Sequence, residues 1–163
     1  MTKSLVISVR LHEGWYHGSE SPPSPARLYQ ALIAGRGLSG PLPKNAVEAL
    51  QWLEQLPPPV IATPTMKPGQ AVAIYVPNND LDAFVNTKKD IGKIRTKKSA
   101  QPMLFDSSVP FVYCWELPAD FDESVVQQIC DLADGVYQLG RTVDAAWAWA
   151  RCFARRRKCG TIA

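Results

Sequence analysis

Acid–base chemistry has few candidates in this chain. His12 and His17 are its two histidines, and imidazole is the side chain that changes charge near neutral pH without help from its surroundings. With Tyr16 beside it, His17 can act as the general base for attack by an RNA 2′-hydroxyl on its own phosphodiester, a cleavage that needs no metal. No second acid–base partner stands at a defined spacing, so a structural or hydrogen-bonding histidine is the plainer reading. No Ser-His-Asp set, paired-carboxylate pattern, Walker loop or dinucleotide fingerprint occurs, and Gly35-Arg36-Gly37 is too short for a phosphate loop. The four cysteines, Cys114, Cys130, Cys152 and Cys159, form no C-x-x-C pair and have no histidine at ligand spacing. Neither a metal nor another cofactor is expected.

Charge chemistry is better represented. Lys88, Lys89, Lys93, Arg95, Lys97 and Lys98 crowd residues 88–98, and phosphate neutralisation by such a group supplies sequence-independent affinity for nucleic acid. A solvated lysine-rich loop explains the same residues equally well. Arg151, Arg155, Arg156, Arg157 and Lys158 form a second basic group, although short clusters of this kind also arise in flexible ends. Arg141 follows Gly140; glycine lets backbone approach a phosphate and arginine can pair with it bidentately. A pairing of Arg141 with Asp144 competes with that role. Phe111, Tyr113 and Trp115 share one face of a strand pattern at a spacing suited to base stacking, but aromatics on one strand face are more often core.

Residues of these kinds act only where elements hold them. A chain of 163 residues, 46% hydrophobic and 20% charged, fits one domain with a genuine core. Its net charge of +3 permits an acidic partner without demanding one. No apolar run resembles a signal peptide or a membrane span, so a cytoplasmic protein with reduced thiols and no membrane partner is expected.

Leu5, Ile7, Val9 and Leu11 alternate with Val6, Ser8, Arg10 and His12, which predicts a half-buried strand. Ser24 is an N-cap with Pro25 in the first helical position, and Leu28, Ala31, Leu32 and Gly35 form one helix face. Asn45 with Glu48 predicts a capping box for a second helix, with Val47, Leu50, Trp52, Leu53 and Leu56 as its apolar positions. Pro57, Pro58 and Pro59 stop that helix. A short edge strand over 60–63 and a clearer strand over 71–76 follow. Residues 110–117 read as the next strand, and Asp122 caps a helix with Val125, Val126, Ile129, Leu132 and Ala133, closed by Gly135. Residues 143–153 fit either element, since alanine favours a helix while Trp147, Trp149 and Arg151 alternate strictly with alanines; the preceding order β, α, β, β, α tips the reading to a strand. The expected fold class is α+β: a ferredoxin-like β-α-β-β-α-β sheet with an extra helix and a long basic insertion loop. The domain is expected over 1–153 with the inserted loop at 79–109, followed by a basic tail over 154–163.

Several pieces together resemble a known family. The runs G-W-Y-H-G at 14–18, S-P-P-S-P-A-R-L-Y-Q-A-L-I-A at 21–34, L-P-P-P-V at 56–60 and Y-Q-L-G-R-T at 137–142 are similar to the CRISPR-associated RAMP subunit of type I-U systems, also called I-G. That resemblance implies a RAMP, RRM-like fold in a Cascade surveillance complex, gripping the 5′ handle of the CRISPR RNA. Its implied partners are crRNA, the backbone and large subunits, and target DNA within the complex. By residue match it marks Arg27 and Arg141 for RNA contact, together with the Trp15, Tyr16 and His17 turn. Family members are longer, and the second, processing module is expected to be absent here. A non-catalytic RNA-handle-binding subunit is therefore expected. A metal-independent endoribonuclease using His17, and a subunit that contacts proteins alone, are the alternatives.

Overall fold

A computed structural model of the chain describes residues 2–38, 40–77 and 95–155. Ten residues of alternating pattern form β1 (Thr2–Leu11), and Leu5, Ile7, Val9 and Leu11 are all buried. Each such aliphatic side chain contributes about 1.5–3 kcal/mol by leaving water. After the two-residue β2 (Trp15–Tyr16) comes α1 (Pro25–Gly37), where Ser24 accepts from the Arg27 N–H and Pro25 opens the helix. Its buried residues are Leu28, Ala31, Leu32 and Gly35, the face that the helical period marks.

The second helix, α2 (Lys44–Gln55), starts two residues earlier than the capping box requires. Pro43 is its N-cap and supplies no side-chain bond, while the Asn45 amide donates to Gln128 of the later helix. The buried face consequently shifts to Ala46, Ala49, Leu50 and Leu53, and Val47 is exposed. After the prolines come β3 (Val60–Ala62), β4 (Lys67–Pro68), β5 (Val72–Pro77), β6 (Arg95–Ala100), β7 (Met103–Leu104), β8 (Phe111–Glu116), α3 (Glu123–Asp134) and β9 (Ala146–Arg155). Asp122 caps α3 by accepting the Ser124 N–H, and Gly135 ends it.

The result is a mixed α/β protein with antiparallel sheets. The main sheet has the order β3-β8-β1-β9, and every neighbouring pair runs antiparallel. One face carries Leu5, Ile7 and Val9 of β1 with their partners Trp115, Tyr113 and Phe111 on β8. These pack with the apolar faces of α1, α2 and α3 in one core. The stripe Phe111, Tyr113 and Trp115 is therefore core, not a stacking surface.

Two expectations need correction. The strand expected over 71–76 does not enter the main sheet; β5 pairs with β6 in a separate two-stranded ribbon, and the three residues of β3 take the edge position beside β8. Strand propensity identifies a chain that suits a pleated surface but not its partner, and here the partner is the polar run RTKKSA. Nor is 79–109 a loop throughout, since β6 and β7 lie within it. At the other end, β9 runs to Arg155, past the expected domain boundary at 153. Residues 156–163 and the lysines Lys88, Lys89 and Lys93 lie outside the described residues. No helix among the described residues is long and apolar enough to cross a membrane.

Candidate nucleic-acid interface

The corner at 14–24 is held from three sides. β7 lies between β2 and β4 in a small sheet, with Trp15 opposite Leu104 and Tyr16 opposite Met103. The Phe105 N–H donates to the Gly14 carbonyl at 2.9 Å, closing the turn that leads into β2. Further on, the Tyr113 hydroxyl donates to the Pro23 carbonyl at 2.8 Å inside the core, fixing the proline run to the main sheet just before α1. The Ser21–Pro22 peptide is cis.

From the far end of the chain, residues 137–146 fold back as a tight turn. The Leu139 N–H donates to the Asp144 carbonyl at 3.0 Å, and the Asp144 N–H donates to Arg141 at 2.8 Å. Gly140 sits there with φ +118. A Cβ at this position would lie 3.0 Å from both Asp144 Oδ2 and Tyr16 Cε2, so only glycine has both the dihedral freedom and the space.

Asp144 joins the two regions. Its side chain is fully enclosed, and such a carboxylate requires hydrogen-bond donors. It has them: the His17 N–H at 3.0 Å, His17 Nδ1 at 2.8 Å and the Arg141 N–H at 3.1 Å. A carboxylate only accepts, so Nδ1 carries the hydrogen and Nε2 is the imidazole nitrogen left for a ligand. Trp15 packs edge-on against the same imidazole, with ring centroids 5.6 Å apart. The competition foreseen between Arg141 and Asp144 is resolved at the backbone: the amide binds the carboxylate, and the Arg141 side chain is exposed.

Arg27 faces the same place across Gly140, whose added Cβ would sit 3.6 Å from Arg27 Cδ. Its Nη2 donates to Glu20 Oε2 at 3.1 Å and its Nε to Oε1, while Ser24 Oγ bonds both the Arg27 N–H and Glu20. The guanidinium beside Glu20 brings that carboxyl down to about 2, and the pairing raises Arg27 in turn. Part of the Arg27 guanidinium is thus already engaged by Glu20. A cavity of about 150 Å³ opens between Arg27, Gln30, Gln138 and Gly140.

Tyr16 does not belong to the exposed surface. It is fully buried, because β2 turns its ring inward and Gly18 passes directly over the hydroxyl, where a Cβ would come within 1.9 Å. Burial pushes its phenol up to about 12. Glu20 is close enough to raise it further, yet among the described residues the hydroxyl has no hydrogen-bond partner. Among the described residues no group of three His, Cys, Asp or Glu side chains could hold a metal.

The structure therefore assembles Trp15, His17, Arg27 and Arg141 around Asp144, and leaves Tyr16 beneath them. Arg95, Lys97 and Lys98 stand elsewhere, exposed on the β5–β6 ribbon. Asp144 and Glu20 organise the site, and neither was a sequence candidate for it. The sequence-level signal for Asp144 was its position three residues after Arg141, which suggested a salt bridge instead of a buried hub.

No curated protein sequence matches the chain. A crystal structure of a CRISPR protein from Archaeoglobus fulgidus is similar at 11% identity with a TM-score of 0.36, the match covering 92% of this chain and 61% of that one. The chain thus spans about 61% of that neighbour's length, and a likeness so distant has no bearing on the site. The model of the CRISPR-associated protein GSU0054 family matches residues 5–152, a stretch that takes in the aromatic turn, the proline corner, most of the main sheet's pairing and the Gly140 turn. The chain belongs to that family of CRISPR-associated proteins.

Proposed function

We propose that this chain is a CRISPR RNA-binding subunit of a type I-U (I-G) Cascade complex, built on a ferredoxin-like RAMP domain and gripping the crRNA 5′ handle beside the backbone and large subunits. The strand order β3-β8-β1-β9 with antiparallel neighbours is the arrangement that a split βαβ unit produces. The observation that carries the reading is the convergence on Asp144 of pieces more than 120 residues apart, since |i−j| is 127 for His17 and Asp144. The exposed Arg141 side chain, the partly exposed Arg27 guanidinium and an imidazole whose Nε2 has no hydrogen-bond partner among the described residues suit a phosphodiester and its 2′-hydroxyl. The basic ribbon adds charge without sequence preference.

Mobility shifts with the cognate repeat RNA over a salt series test this. Affinity should fall as salt rises, and Arg27→Ala with Arg141→Ala should weaken it about tenfold or more, as loss of charge-assisted phosphate contacts implies. Binding that ignores both salt and the handle sequence would overturn it. One observation favours a second reading, a metal-independent endoribonuclease: His17 Nδ1 is held by a buried carboxylate, the orientation a general base uses. Repeat RNA incubated in chelator with wild type and His17→Ala separates the two, since equal or absent cleavage removes His17 from catalysis.

A further inference from the structure

The helix-free face of the main sheet is where residues unused by the Asp144 site gather. Register places Ser8 of β1 opposite Trp149 of β9 and Val112 of β8, Val6 opposite Arg151 and Cys114, and Arg10 opposite Trp147. Alanines 148 and 150 turn the other way, toward the core, so the strict alternation in β9 puts every large side chain of 147–153 on this open face. Trp147 is 44% exposed and Phe153 49%, high values for aromatics on a strand with an amphipathic pattern.

The two indoles lie side by side, with ring centroids 4.9 Å apart and planes tilted by 36°, and small neighbours such as Ser8 leave them proud of the sheet. The Arg10 guanidinium sits 5.5 Å from the Trp147 centroid and is anchored there by donating from Nε to the Ser107 carbonyl at 2.9 Å. Arg151 is exposed on the same face. Among the described residues, the acidic groups near this surface stand at its rims: Glu116 beside Ser4 at one corner, and Asp106 next to Arg10 at the other. The centre thus offers aromatic rings interleaved with cations.

We propose that this face, centred on Trp147 and Trp149, is a platform on which unpaired bases of a single-stranded nucleic acid stack, with Arg10 and Arg151 taking the adjoining phosphates. Flat indole surfaces accept any base because every base has a π-face, and arginine beside a ring serves both stacking and phosphate. A sheet face carrying stacked aromatics is also the general means by which single strands are read when duplex grooves are closed to side chains. The site is separate from the Asp144 cluster, and it rests on the reading that the chain binds RNA.

The test uses the full chain and an unstructured, end-labelled uridine oligomer followed by fluorescence anisotropy, beside the repeat RNA and a duplex of equal length. Trp147→Ala and Trp149→Ala should each weaken oligomer binding about tenfold, Trp147→Phe should keep most of it, and the duplex should bind more weakly than the single strand. Oligomers carrying 4-thiouridine should cross-link wild-type protein within residues 147–153, a readout that needs no substitution. If repeat RNA binds normally while both alanine variants match wild type, or cross-links fall only elsewhere, the platform is overturned and the handle reading stands. If wild type binds neither RNA, both fall. If Trp147→Ala abolishes a concentration-dependent dimer without changing RNA affinity, the face belongs to a second copy and the proposal is overturned.

Discussion

Two tyrosine hydroxyls are carried into the same core, those of Tyr16 and Tyr113, both on residues that are 0% exposed. Tyr113 has a partner in the Pro23 carbonyl, whereas Tyr16 has none among the described residues. A buried hydroxyl without a partner keeps its desolvation cost, and removing a paired one strands the acceptor. Tyr16→Phe should therefore change stability by less than about 0.5 kcal/mol or raise it, and Tyr113→Phe should cost about 1–2 kcal/mol; urea unfolding of both compares them directly. The Glu20–Arg27 pair makes a pH prediction. Glu20 is held at about 2 against an ordinary 4.5, and a depressed acid stabilises the fold above its unfolded value and loses that contribution as pH falls through the folded one. The two side chains are 31% and 28% exposed, so screening keeps the pair within about 1 kcal/mol. Glu20→Gln should lie below wild type in stability at neutral pH, and the gap should close between pH 4.5 and about 2.

At the scale of the element, the turn over 137–146 decides whether the site exists. Its geometry depends on Gly140, where a positive φ and two contacts at 3.0 Å coincide. Gly140→Ala should cost about 1–3 kcal/mol from backbone strain and crowding, and should weaken repeat-RNA binding by displacing Asp144 and with it His17. Arg141→Ala, which alters an exposed side chain but leaves the amide on Asp144, should keep stability within about 0.5 kcal/mol of wild type. A Gly140→Ala protein as stable as wild type would show that the turn yields more easily than its contacts imply. The α1 corner is held differently, by Ser24, Pro25 and the Tyr113 bond to Pro23, so perturbing the turn leaves that helix start intact.

For the whole molecule, charge sits apart from geometry. The ribbon carries Arg95, Lys97 and Lys98, exposed, on a sheet separate from the main one. If all three bind single-stranded RNA, the triple alanine variant should flatten the dependence of log affinity on log salt by about 2, at about 0.7 per phosphate contact. A slope equal to that of wild type would remove the ribbon from the interface.

Most of the local structure was legible in the chain itself: the alternation of β1, the Ser24-Pro25 and Asp122 helix starts, and the alternation of Trp147, Trp149 and Arg151 with alanines, although there the order of the preceding elements tipped the reading to a strand. These features depend on neighbours within one or two turns, so periodicity and capping chemistry reveal them. The tertiary structure alone decided three things. It chose β8 as the partner of the short edge strand β3 and sent 72–77 to a polar partner, because pairing depends on residues distant in sequence. It sank Tyr16 under Gly18 while lifting Trp147 and Trp149 onto the open face, because alternation tells which residues share a side but not which side the helices cover. And it made Asp144 the hub for His17 and Arg141, since a buried carboxylate collects whatever N–H groups the fold brings to it, and no spacing along the chain announces which those will be.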